Sequence, residues 1–121
     1  MIKVLIADDE RKLVDYLEFS LGKTGKYAVV KAHTNTAAVE IAKDNPDIRV
    51  VILDTDCLGG GAVAEALRNL CPGCKIVLNS GGVTGDEDPA QLGVDMVLPR
   101  VDPMVLMIRI SELVDQEVVE K

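Results

Sequence analysis

Five short apolar runs recur along the chain, and a helix-length segment follows each one. The runs are IKVLIA (2–7), YAVVKA (27–32), VVIL (50–53), KIVLN (75–79) and DMVL (95–98). Several are continuous rather than alternating, the pattern of strands covered on both faces. Between them, Leu13, Val14, Leu17 and Leu21 fall on one helical face. Ala38, Ile41 and Ala42 do the same after a polar TNT, and so do Val63, Leu67 and Leu70. A shorter helix is expected near 86–92. The last helix is the clearest, with Asp102 as N-cap, Pro103 at the first helical position and a stripe of Leu106, Met107, Ile110, Leu113 and Val114. Gly22, Gly25 and the pair Asn45-Pro46 offer helix stops. A β-α unit repeated five times requires a parallel sheet with right-handed crossovers and helices on both faces. The chain of 121 residues suffices for one such domain, residues 1–121, and no linker or repeat interrupts it. Periodicity leaves the strand order open.

Composition narrows the function classes. A net charge of −7 argues against a general binder of nucleic acid or anionic membrane. No apolar run approaches the ~20 residues of a membrane span. The start, MIKVLIADDE, meets three acids at once and does not read as a leader, so a cytoplasmic setting is expected. Tyr16, Phe19 and Tyr27 are the sole aromatics. The core must therefore be aliphatic, and stacking platforms for nucleobases are lacking. Cys57, Cys71 and Cys74 are an odd set and do not read as a disulfide framework. CPGC (71–74) has the spacing of a redox pair but precedes a strand instead of opening a helix, so a helix-ending turn is the better reading. His33 and Cys57 are weak zinc candidates, and His33 alone reads as a loop residue.

The acids converge on one edge. Asp8, Asp9 and Glu10 follow the first strand, Asp54 and Asp56 the third, Ser80, Gly81 and Gly82 the fourth, and Arg100 the fifth. In a parallel sheet all of these lie at the carboxyl ends of the strands, where such sheets bind ligands. Clustered carboxylates repel one another unless a cation joins them. Oxygen ligands with room for water suit Mg²⁺. A nearby hydroxyl and guanidinium suit a phosphoryl group. The constellation reads as a Mg²⁺-dependent aspartyl-phosphate site. Taken singly the residues have plainer readings: Asp9 or Glu10 could merely favour the N-terminus of the following helix.

The whole chain resembles the receiver domains of bacterial two-component response regulators. VLIADDE resembles the family's first strand and acidic pair, and VVILDTD its third strand ending in the phosphoacceptor. KIVLNSG resembles the fourth strand, ending in Ser or Thr before a small residue. GVDMVLPR resembles the fifth, which in the family ends in Lys-Pro. The resemblance implies a three-layer, flavodoxin-like (βα)5 α/β fold with a five-stranded parallel sheet in the order 2-1-3-4-5. It implies that Asp54 accepts a phosphoryl group from a phosphohistidine of a sensor histidine kinase or phosphotransfer protein. Asp8, Asp9, Asp54 and the backbone carbonyl of Asp56 would hold Mg²⁺, with Asp8 acting through water. Ser80, the amide of Gly81 and Arg100 would attend the phosphoryl group. The chain would catalyse only its own phosphotransfer and dephosphorylation. It would signal through helices four and five and strand five, a face also open to homodimerisation, without binding nucleic acid or membrane itself.

The chain departs from the family at four places, one of them Leu58, in CLGGG, which stands for the proline of the turn after the acceptor. Arg100 stands for the family lysine, and a planar fork is not a point charge. Val101 stands for the proline, and Val97 for the switch aromatic. These departures favour, as an alternative, a receiver that binds partners without phosphorylation. A second alternative starts from Asp54-x-Asp56, which also resembles the first motif of haloacid-dehalogenase-like phosphohydrolases, with Asp54 as nucleophile and Asp56 as acid-base. Against it, the acidic pair comes before this motif, and no cap region is present. Met104 and Met107 are expected to serve the packing surface of the last helix, and the tail DQEVVEK to be solvated.

Overall fold

The computed structural model describes residues 1–54, 60–100 and 102–119. The strands are β1 (Ile2–Ala7), β2 (Tyr27–Ala32), β3 (Ile48–Leu53), β4 (Lys75–Ser80) and β5 (Met96–Pro99). The helices are α1 (Arg11–Gly22), α2 (Asn35–Asp44), α3 (Gly60–Leu70), α4 (Pro89–Leu92) and α5 (Pro103–Val119). All five strands run parallel in the order β2-β1-β3-β4-β5, the order implied by the resemblance.

Continuous apolar runs become the inner strands because both their faces are covered. One face of the sheet packs Leu5, Val51, Leu53, Ile76 and Leu78 against Ala38, Ala42, Ala64 and Leu67 of α2 and α3. The other packs Val4, Ile6, Val50, Ile52, Val77 and Leu98 against Val14, Leu17 and Leu21 of α1 and Leu106, Ile110, Leu113 and Val114 of α5. The small alanines on α2 and α3 let those helices sit close to the aliphatic strands.

The helix ends follow the expected chemistry. Thr34 accepts the amide of Ala37 at 3.0 Å and caps α2. Asp102 accepts the amide of Met104 at 2.8 Å and opens α5, with Pro103 first in the helix. The weak helix near 86–92 shrinks to the single turn Pro89–Leu92, capped by Asp88 on the amide of Ala90. Met107 packs against the core, but Met104 does not, being 64% exposed. Met104 lies two residues before Leu106, about 200° around the helix from it. Ile108, two residues after Leu106, is exposed for the same reason.

The β5 strand is tied to its neighbour by a side chain. Asp95 accepts the amide of Ile76 at 2.7 Å and Nη2 of Arg68 at 3.0 Å. Asp95→Ala leaves that amide without its acceptor, and a loss of about 1–3 kcal/mol in urea denaturation is expected.

Candidate functional site

The site is assembled by the row of residues one step beyond the α1/α5 side of the core. Side chains alternate along a strand. Asp8 comes two residues after Ile6, Asp54 two after Ile52 and Arg100 two after Leu98. Each therefore extends the face that packs on α1 and α5. The pairing of Ala7 with Leu53, continued one residue, sets Asp8 beside Asp54. The amide of Asp54 donates to the carbonyl of Ala7 at 3.1 Å and that of Asp8 to Ala32 at 3.0 Å, so both acids remain held by strand-like backbone bonds.

The two carboxylates are almost wholly enclosed, Asp8 at 3% and Asp54 at 1% exposure. With the exposed Asp9 they offer three carboxylate oxygens within 4.8 Å of one another. That donor set, hard oxygens with one side open to water, suits a Mg²⁺-type cation. Burial raises the Asp8 carboxyl above the usual range, and the neighbouring Asp54 and Asp9 charges add to it. The amide of Glu10, which donates to Asp8 Oδ1 at 2.9 Å, and the Arg100 charge act the other way.

Arg100 cross-links the acids. Its Nη1 donates to Asp8 Oδ2 at 3.1 Å and Glu10 Oε2 at 3.3 Å, and its Nη2 to Asp54 Oδ2 at 3.2 Å. Burial disfavours the guanidinium charge, but the acids Asp8, Asp54 and Glu10 outweigh it and hold Arg100 protonated. The planar fork reaches three carboxylates through two of its nitrogens, spread over a wider span than the single nitrogen of a lysine.

Because the folded-state pKa of Asp8 is raised, its proton favours the fold at low pH, and that contribution is lost as pH rises through the raised value. Above the ordinary carboxylate range the buried Asp8 therefore weighs against folding. Asp8→Asn is therefore expected to raise the melting temperature at neutral pH. Melts at neutral pH and near pH ~3, below the ordinary carboxylate pKa, check this, since the advantage should fade at the lower value.

Other residues fall around this centre. His33 Nδ1–H donates to the backbone carbonyl of Asp8 at 3.2 Å, steadying the loop after β1. Ser80, fully buried, accepts the amide of Gly82 at 3.1 Å, so its hydroxyl is oriented by its own turn. It follows Leu78 on the α2/α3 side, and it makes no hydrogen bond to Asp54 or Arg100 among the described residues. Gly81 sits exposed just past β4. Next to Arg100, Pro99 lies over Gly85, whose φ of +97° strains any side chain and where a Cβ would come within 3.1 Å of Pro99 Cδ. Glu87 takes the amides of Thr84 and Gly85, which hold its carboxyl below the usual range and fix this turn. Val97 is built into the α2/α3-side core. Asp56, Cys57, Leu58 and Val101 lie outside the described residues. Cys71 and Cys74 are buried thiols pointed at backbone carbonyls, and burial pushes Cys74 up to about 11. Such thiols are poor nucleophiles, which supports the helix-ending turn over a redox pair.

Comparison with solved structures decides the fold. The chain is similar to a CheY-like response regulator receiver domain protein from Methanospirillum hungatei, with 22% identity, TM-score 0.84, and 100% and 99% of the two chains covered. This chain has the receiver fold. A receiver-fold protein from Burkholderia pseudomallei, a response regulator with a phosphorylated aspartic acid, calcium ion and citrate, matches at 21% identity and TM-score 0.77 over 100% of this chain and 75% of that one. A response regulator from Thermotoga maritima in complex with Mg²⁺ and BeF matches at 22% identity and TM-score 0.76, over 93% and 99% of the chains. No protein-family model and no curated protein sequence matches the chain. Among the described residues, no helix is long and apolar enough to cross a membrane.

Proposed function

We propose that the chain is a phosphoacceptor receiver domain in which Asp54 takes a phosphoryl group from a phosphohistidine of a histidine kinase or phosphotransfer protein. The observation that carries this reading is the placement of Asp54: rigidly held at the end of the central β3, 1% exposed, and grouped with Asp8 and Asp9 within 4.8 Å. An oxygen of Asp54 attacks phosphorus, the P–N bond breaks, and the imidazole leaves with the electron pair. Asp8, Asp9 and Asp54 would hold Mg²⁺, with the Asp56 carbonyl as a further ligand; the ion supplies charge neutralisation for the entering phosphoryl oxygens. Ser80 and the Gly81 amide, at the end of β4, would attend the phosphoryl group once Ser80 turns from the α2/α3 side toward Asp54. Arg100 must leave Asp54 for the reaction and can then pair with the new phosphoryl oxygens.

A domain of this kind passes its state to a partner protein and does not turn over a substrate, and we assign it to the cytoplasm. Its α4-β5-α5 face is the proposed partner or homodimer surface, where Val105 and Ile108 are exposed. Incubation with a small acyl phosphate tests the reading. The protein should gain one phosphoryl group by intact mass with Mg²⁺ present and none with a chelator. One observation favours a phosphorylation-independent binding module: Arg100 already fills the cation role among Asp8, Glu10 and Asp54. No mass gain under any donor would favour that second reading.

A further inference from the structure

The arm of Arg100 starts beyond β5 and ends on acids that follow β3 and β1. In the sheet β4 lies between β5 and β3, so the arm crosses the end of β4. Asn79 is the β4 residue on that face. It is paired with Leu98, comes two residues after Val77, and by the continued pairing of Leu53 with Leu78 stands beside Asp54. Asn79 is 1% exposed, and its Oδ1 is buried with no hydrogen-bond partner among the described residues. The same face further down is aliphatic, so an amide here is out of pattern, and an unmatched buried acceptor is destabilising. Arg100 meanwhile donates through Nη1 and Nη2, and its Nε–H donates to none of the described residues. An unused donor and an unused acceptor thus lie on one face at adjacent strand ends.

We propose that Asn79 is a second acceptor for the Arg100 guanidinium, taken up when a divalent cation occupies Asp8 and Asp54. The proposal rests on the metal-binding reading of the acid cluster. In the cation-free protein the guanidinium neutralises the acids. A divalent ion removes that attraction and repels the guanidinium, which settles back along its own path onto Asn79 Oδ1. Asn79 is in this sense a positioning residue: it offers the displaced arginine a hydrogen bond in a buried place, and so eases cation entry.

The test is a Mn²⁺ titration read by the electron paramagnetic resonance signal of free ion, on the full chain and three variants. Arg100→Met should tighten binding about tenfold, and Asn79→Val should weaken it about fivefold, with the Asn79 effect vanishing in the double variant, the mark of residues acting on one another. An Asn79→Val effect that is absent, or equal in both backgrounds, overturns the proposal while leaving the metal site intact. Absence of Mn²⁺ binding in both the parent and Arg100→Met overturns the metal reading and the proposal together. A measurement on the unmutated protein guards against a poorly folded variant. Mg²⁺ should slow solvent exchange of the Arg100 Nε proton, and unchanged or faster exchange with bound Mg²⁺ contradicts the second acceptor.

Discussion

Arg100→Met will destabilise the cation-free protein and leave it dependent on divalent ions. The substitution keeps the stem but removes the charge and the donors that now reach Asp8, Glu10 and Asp54. Two of those acids, Asp8 and Asp54, then stay enclosed without the cation that bridges them. Breaking a fully buried pair costs about 3–5 kcal/mol; the Arg100 side chain is 30% exposed, so about 2–3 kcal/mol is the expected loss. For a domain of this size that corresponds to a fall of about 10 °C or more in melting temperature. Millimolar Mg²⁺ should restore most of it, because a ligand that binds only the folded state stabilises it. Arg100→Lys keeps the charge but not the fork and should lose less. Thermal melts with and without Mg²⁺ check all three statements. Equal stability of Arg100→Met and the parent in the absence of Mg²⁺ would mean that the cross-link contributes nothing.

Asp54→Asn will abolish covalent phosphoryl uptake altogether, since an amide oxygen lacks the charge needed to attack phosphorus. The same change removes one of three clustered acids and should weaken Mg²⁺ binding about tenfold or more. Stability should move in the opposite direction. Asp54 is 1% exposed and shares its pocket with Asp8, so replacing it by a neutral amide relieves like-charge repulsion in the metal-free state. A variant that is dead for uptake yet at least as stable as the parent separates a chemical role for Asp54 from a structural one. Urea denaturation beside intact-mass measurement reads both.

The sheet was legible because each strand is a nearly pure aliphatic run and each helix has a regular stripe. Asp54 was legible for the same reason: an acid closing VVIL has to emerge at a strand end. Strand order came from the family resemblance, since periodicity says which residues are buried but not which strands adjoin. The reach of Arg100 was hidden for that reason. Its contact with acids 46 and 92 residues away exists only because β4 is the single strand between β5 and β3. Asn79 leaves a signal in the sequence, a polar residue inside KIVLN, but a single amide in a strand does not by itself mark a site. The bond of His33 to the Asp8 carbonyl left none, because backbone partners have no sequence identity. Met104 departs from the packing expected of it through helix phase, being exposed about 200° around α5 from Leu106.

Asp54 as phosphoacceptor can be read out at the residue itself. The most direct measurement treats the protein with a small acyl phosphate and Mg²⁺, traps the product with borohydride, and maps the altered peptide by mass spectrometry. One modified residue is expected, Asp54, reduced to homoserine, with Asp8, Asp9 and Glu10 unchanged. Modification at another acid, or a wholly unmodified chain when Mg²⁺ is bound and donor is in excess, would contradict it.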